Sequence, residues 1–213
     1  MWAIARTAEN VYRLHLDFNE PGQVKPILLI ADCHWDSAHC KLDLLRTTLK
    51  KAKDTGSPII ISGDFFDAMQ GKWDPRASQE SLRPEHRSGA YLDSLVSTAA
   101  EWLKPYAANI ALISYGNHET SIKKRHEVDL LQRLCHELRR DGSSVICGHY
   151  TGFVQVVGKI NDMGNQQDSF TIHYHHGHGG ESEVTRGLIN WNRTRGQYRA
   201  DVYFAGHIHR RNC

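Results

Sequence analysis

The chain has 213 residues, of which 40% are apolar and 23% charged, and its formal net charge is +2. That composition excludes a disordered or fibrous chain, and no apolar run approaches the ~20 residues a membrane helix needs. It suits one good-sized core, and the charge is too small to demand a nucleic-acid partner by itself.

In chain order, strand-like and helix-like segments alternate. Val11–Phe18 (VYRLHLDF) has period-two alternation and reads as a strand. Residues 27–31 (ILLIA) form a short continuous apolar run, the pattern of a strand buried on both faces. Leu42, Leu45, Leu49 and Ala52 recur at helical spacing, which predicts an amphipathic helix over 38–53, stopped by Gly56. The alternation repeats: a strand at 58–62 (PIIIS), a helix at 89–103, a strand at 109–114 (NIALIS) and one long helix at 119–140. The rest is richer in β, with strands expected at 144–147, 152–159 and 169–175, a short helix at 184–191 and a last strand at Val202–Ala205. This order predicts a single α/β layered domain over 1–213. An irregular insertion near 68–88, rich in Trp, Pro and Arg, has the length of a functional loop and reads as a lid or substrate-contacting segment.

Residues 1–10 lack a basic start followed by an apolar stretch, so no secretory signal is visible and the cytoplasm is the default. Five cysteines without a CxxC pair argue against a disulfide framework or a zinc knuckle. The uneven feature is histidine, with 14 residues, several of them clustered beside glycine and acidic residues.

Those clusters sit where the apolar strands end. ILLIA is followed by Asp32-Cys33-His34, PIIIS by Gly63-Asp64-Phe65-Phe66-Asp67, and NIALIS by Gly116-Asn117-His118-Glu119. The 169–175 strand is followed by His176-Gly177-His178, and VYFA by Gly206-His207-Ile208-His209. In an α/β sheet the C-terminal strand ends share one edge, so these five clusters can converge. Carboxylate, amide and imidazole donors suit borderline and hard divalent ions. In an extended Asp-x-His, residues i and i+2 point the same way, so Asp32 and His34 can grip one ion while Cys33 turns away into packing. His207 and His209 share that spacing. Singly, each cluster has a bland explanation: a strand-end turn, or a helix start with Asn117 as cap. Five in order, each closing a separate apolar run, are hard to obtain from bland causes.

The ordered set D-x-H, G-D-x-x-D, G-N-H-E, H-G and G-H-x-H runs from Asp32 to His209 and resembles the calcineurin-like metallophosphoesterases. The resemblance implies a four-layer α-β-β-α sandwich with two divalent metal ions on one edge. It implies that Asp32, His34 and His209 hold the first ion, that Asp64 bridges both, and that Asn117, His176 and His207 complete the second. His118 would act on the phosphate as general acid or charge stabiliser, and Asp67 would orient it. His176 is chosen for the isolated histidine because it directly precedes the glycine; His178 is its rival. His173 and His175 share strand parity and are expected to be structural or supporting. Manganese is the first expectation, with iron, zinc, cobalt and nickel open. Glu119 replaces the family's commoner aspartate, outside the ligand set. The chain stops at Cys213, four residues beyond His209, where family members continue with strands that close the second sheet. A fragment or a minimal version is therefore expected.

The activity implied is phosphoester hydrolysis, in which two ions lower the pKa of a water so that no protein base is needed. Arg186, Arg193, Arg195 and Arg199 lie between two ligand motifs, and Arg210 and Arg211 follow the last. Lys72, Trp73, Arg76, Arg83 and Arg87 lie in the insertion. Arginine suits bidentate phosphate binding, and Arg186 and Arg210 are the candidate substrate contacts. Gly63-Asp64-Phe65-Phe66-Asp67 looks like the motif of the superfamily's double-strand-break repair nucleases. The expected substrate is thus a phosphodiester, with nucleic acid as a candidate partner and no membrane. The alternatives are a phosphomonoesterase for a small metabolite, nucleotide or phosphoprotein, and a non-catalytic scaffold.

Overall fold

The computed structural model describes residues 1–68, 82–87, 89–160, 167–179 and 188–209. Residues 69–81 and 88 of the insertion, together with Arg186, Arg210 and Arg211, lie outside the described residues.

The described chain is α/β, with two sheets and five α-helices. The first sheet is wholly parallel and has four strands in spatial order: β3 (Leu28–Ile30), β4 (Ile59–Ser62), β5 (Ile110–Ser114) and β6 (Ile146–Gly148). β4 and β5 lie in its centre and are buried throughout, as continuous apolar runs require. Ile59, Ile61, Ile110 and Ile113 join one core with side chains of α1 (Leu42–Asp54), α2 (Tyr91–Leu103) and α4 (Leu130–Arg140). α4 supplies Leu130, Leu131, Leu134, Cys135 and Leu138 at helical spacing, a broad apolar face.

The second sheet is mixed, in the order β1 (Trp2–Ala8), β2 (Val11–Phe18), β7 (Thr151–Ile160), β8 (Gln167–His175), β9 (Val202–Ala205). Tyr12, Leu14 and Leu16 alternate inward on β2, and Val154, Val156, Ile172 and Tyr174 do so on β7 and β8. They meet Ile60 and Leu112 of the parallel sheet in a second core, so the two sheets pack face to face. On the mixed sheet's other side Tyr198, just past α5 (Leu188–Gln197), stacks on His173 at 4.7 Å and lies 5.8 Å from Phe153. Among the described residues no helix is long and apolar enough to cross a membrane.

Three expectations need correction. β3 is half-buried rather than buried on both faces, because it is an edge strand. The long helix is two: α3 (Asn117–His126) ends where Glu127 adopts a left-handed φ of 56°, and α4 starts at Asp129, whose carboxylate accepts from Gln132 N at 3.0 Å. β1 was not expected at all. It is an edge strand that packs only Trp2 and Ile4 inward and otherwise carries Ala, Arg and Thr, too weak an apolar signal to stand out.

Candidate metal centre

The five motifs meet, but from both sheets. Asp32, Asp64 and Asn117 follow β3, β4 and β5 of the parallel sheet, while His176 and His207 follow β8 and β9 of the mixed one. β8 and β9 run parallel to each other, so their C-terminal ends deliver His176 and His207 side by side, with rings 5.4 Å apart.

The backbone at four of the candidate ligands is not extended. Asp32, His34, Asp64 and His207 have φ of 52°, 42°, 49° and 73°, a region that side-chain-bearing residues enter rarely and at a cost of about 1–3 kcal/mol each. The extended geometry expected at Asp32 and His34 is therefore corrected: left-handed backbone at both residues, not strand alternation, brings the two side chains together. Cys33 between them is buried in the helix-side core, where burial pushes its thiol well above the ordinary range. Close packing also dictates glycine at two positions. A Cβ on Gly116 would overlap the Asp64 carboxylate, and one on Gly206 would land 2.5 Å from Asp32 Oδ2.

Donor atoms gather in three overlapping groups: Asp32, His34 and His209; His34, Asp64 and His118; and Asp64, His176 and His207. Asn117 Oδ1 joins the last, 2.9 Å from His176 Nε2 and 2.8 Å from His207 Nδ1. Asp64 Oδ2 is 3.0 Å from His176 Nε2 and 3.7 Å from His118 Nε2. His34 Nε2 lies 3.3 Å from His209 Nε2, which is 3.6 Å from Asp32 Oδ1. Bonds of ~2.0–2.2 Å to one ion would set neighbouring ligand atoms roughly 3.0–3.5 Å apart, so this spacing fits cations.

The imidazoles explain why. A carbonyl oxygen can only accept, so a ring nitrogen bonded to one carries the hydrogen. His176 Nδ1 donates to Ser62 O (3.3 Å), His207 Nε2 to Gly179 O (3.0 Å), and His118 Nδ1 to Asp67 O. His34 Nδ1 is held 2.9 Å from Asp67 Oδ1. In each ring the other nitrogen points into the donor groups, the placement that supporting hydrogen bonds give to metal-bound histidine. Ring nitrogens, an amide oxygen and carboxylate oxygens gathered at these distances suit a positive charge among them. Burial pulls the His34 and His176 rings down, but Asp67 and Asp64 outweigh it and hold both above the ordinary histidine value. His175, outside the groups, is pushed down to about 4 by burial and then by its histidine neighbours.

The structure separates the remaining candidates. His176 is fully buried against Asp64, whereas His178 is in none of the groups and its carbonyl accepts from Asn190 Nδ2. His173 faces Thr151 Oγ1 (3.2 Å) and Tyr198. The Asp67 carboxylate bonds His34 and lies 3.6 Å from His118 Nδ1, which its backbone carbonyl holds. Arg83 lies over the Trp35 ring at 4.6 Å, and Arg87 donates to Leu82 O (3.1 Å), so both are spent on local packing. Arg193, Arg195 and Arg199 are exposed.

Two residues carry structure that the motif reading passed over. The buried Glu119 carboxylate accepts from the backbone N–H groups of Gly116 (2.9 Å), Phe66 (3.0 Å) and Asp64 (3.2 Å), clamping two ligand loops together. Burial, then the charge of Asp64, pushes its carboxyl up to about 7. Its signal was the capping-box position, three residues past Gly116. The buried Asp36 accepts from Asp67 N (2.6 Å), Ala68 N (2.9 Å) and the Tyr91 hydroxyl (3.2 Å), which shapes the loop after Asp64.

The family model described as calcineurin-like phosphoesterase matches residues 25–211, a span that includes every residue of the centre. No curated protein and no solved structure matches the chain.

Proposed function

The chain belongs to the calcineurin-like phosphoesterase family, and from that premise we propose that it is a hydrolase of phosphoesters built on a dinuclear metal centre. The observation that carries the reading is Asp64, whose carboxylate belongs to two of the donor groups at once. Asp32, His34 and His209 would hold one ion, Asn117, His176 and His207 the other, with Asp64 between. Bound there, two divalent cations, manganese first among them, would polarise the phosphoryl oxygens and lower the pKa of a water towards neutrality.

The chain's own groups do the rest. His118 is locked through Nδ1 to the Asp67 carbonyl, so its Nε2 faces the centre. There it can neutralise charge developing on a phosphoryl oxygen or give a proton to the leaving oxygen. Asp67 fixes His34, and Glu119 fixes the loops that carry Asp64 and Asn117. No nucleophilic cysteine is needed, in keeping with the burial of Cys33. The same reading takes the fold as a four-layer sandwich, its outer layer represented by α5 and Tyr198 against the mixed sheet.

We take a phosphodiester as the leading substrate, nucleic acid included, on the strength of the Gly63-to-Asp67 motif and the exposed arginines about α5. A phosphomonoester is the second reading, favoured by one observation: Arg83 and Arg87, part of the basic set in the insertion, are engaged internally. Hydrolysis of bis(p-nitrophenyl) phosphate against p-nitrophenyl phosphate, with Mn²⁺ and an EDTA control, divides the two. Preference for the diester and degradation of single-stranded DNA support the nuclease; turnover of the monoester alone overturns it, and no turnover with any metal leaves a scaffold.

A further inference from the structure

A cavity of about 860 Å³ opens beside the centre. Its described walls include Asp32, His34, His209 and His118, but none of Asp64, Asn117, His176 or His207. Approach to the centre through it is therefore from the α1 side, over the first ligand group. Away from the donor atoms the lining includes Ile30 on the edge strand β3 and Leu44, Leu45 and Thr48 on α1, with the polar His39 and Lys41 beside them. Cavities of roughly 300–1,000 Å³ bury drug-sized organic molecules, far more than a phosphate group fills.

Leu44 is the unexplained residue. The face that α1 turns to the core carries Leu42, Leu45, Leu49 and Ala52, and Leu44 lies off it with 64% of its surface exposed. Its side chain adds nothing to the helix-side core, yet it lines the cavity a short way from the donor atoms. A leucine placed there can cover apolar surface of a molecule in the cavity.

We infer that the groove between β3 and α1 is a subsite for the organic part of the phosphoester, and that it selects an apolar, ring-sized group. The inference rests on the phosphoesterase reading and adds the side from which the substrate enters and the chemistry of its substituent. The phosphoryl group sits at the donor groups, and the ring lies against Leu44, Leu45 and Thr48, within reach of His118.

The test is binding to the Mn²⁺-loaded protein, followed by calorimetry, of two phosphonates that cannot be hydrolysed. 1-Naphthylphosphonate is expected to bind about tenfold or more tightly than methylphosphonate, since burial of its ring removes apolar surface from water. Leu44→Glu, at an exposed position, and Thr48→Trp, which fills the groove, should each bring that ratio to about one with metal stoichiometry intact. Equal binding of the two phosphonates by the parent protein, or a ratio preserved in both variants, overturns the subsite alone. Failure of both phosphonates to bind the loaded protein overturns the phosphoester reading and the subsite with it.

Discussion

Asp67 Oδ1 lies 2.9 Å from His34 Nδ1 and 3.6 Å from His118 Nδ1. The carboxylate thus serves a candidate ligand, while the backbone carbonyl of the same residue serves the candidate acid. Asp67→Asn should weaken metal binding by about 10–100-fold, the usual effect of removing a carboxylate behind a metal-bound histidine. Titration of the metal-free protein with Mn²⁺ measures it. Unchanged metal affinity with a fall confined to kcat would reassign the carboxylate to His118.

His118 and Asp64 should separate chemistry from metal loading. His118→Ala removes a ring held through Nδ1 by the Asp67 carbonyl, and on the proposed assignment both ions should remain while turnover falls about 10²–10⁴-fold. Asp64→Ala removes an atom from two donor groups, and both metal content and turnover should disappear. Elemental analysis beside the rate decides. Equal metal loss in the two variants would show that His118 is a ligand.

Glu119 is a stability prediction as much as a functional one. Glu119→Ala strands three buried N–H groups, and each loses the desolvation penalty's only compensation, at about 1–3 kcal/mol apiece. Glu119→Gln keeps an acceptor and should cost less. Urea unfolding of the metal-free proteins gives the difference. An alanine variant as stable as the parent would mean that the loops find other partners.

The candidate ligands were legible because most stand at the end of an apolar run, and strand ends are easier to read than strand pairing. The division between two sheets was not legible: β8 resembles any alternating strand, and nothing local says that it pairs with β9 rather than joining β5. The left-handed backbone at Asp32 and His34 was equally hidden, since Asp and His tolerate that region without announcing it as glycine does. Glu119 and Asp36 were passed over for a shared reason. Their partners are backbone N–H groups from distant loops, which leave no spacing pattern in the chain.

The break between α3 and α4 supplies a pH prediction. Asp129 caps α4 through Gln132 N (3.0 Å) and also accepts from the Tyr115 hydroxyl (2.7 Å) and Lys123 Nζ (2.8 Å). Burial alone would raise its carboxyl, but Lys123, the Gln132 N–H and Tyr115 outweigh it and hold it below the ordinary 3.8. A carboxyl depressed in the folded state stabilises the fold above its unfolded value and loses that contribution as pH falls through the folded one. Asp129→Ala should therefore cost about 1–2 kcal/mol at pH 7, the scale of a lost helix cap. The gap from the parent should narrow steadily as pH drops below 3.8. Urea midpoints of the two proteins from neutral to acid pH trace it; a gap that stayed constant into acid would show that the carboxylate's charge adds nothing to the cap.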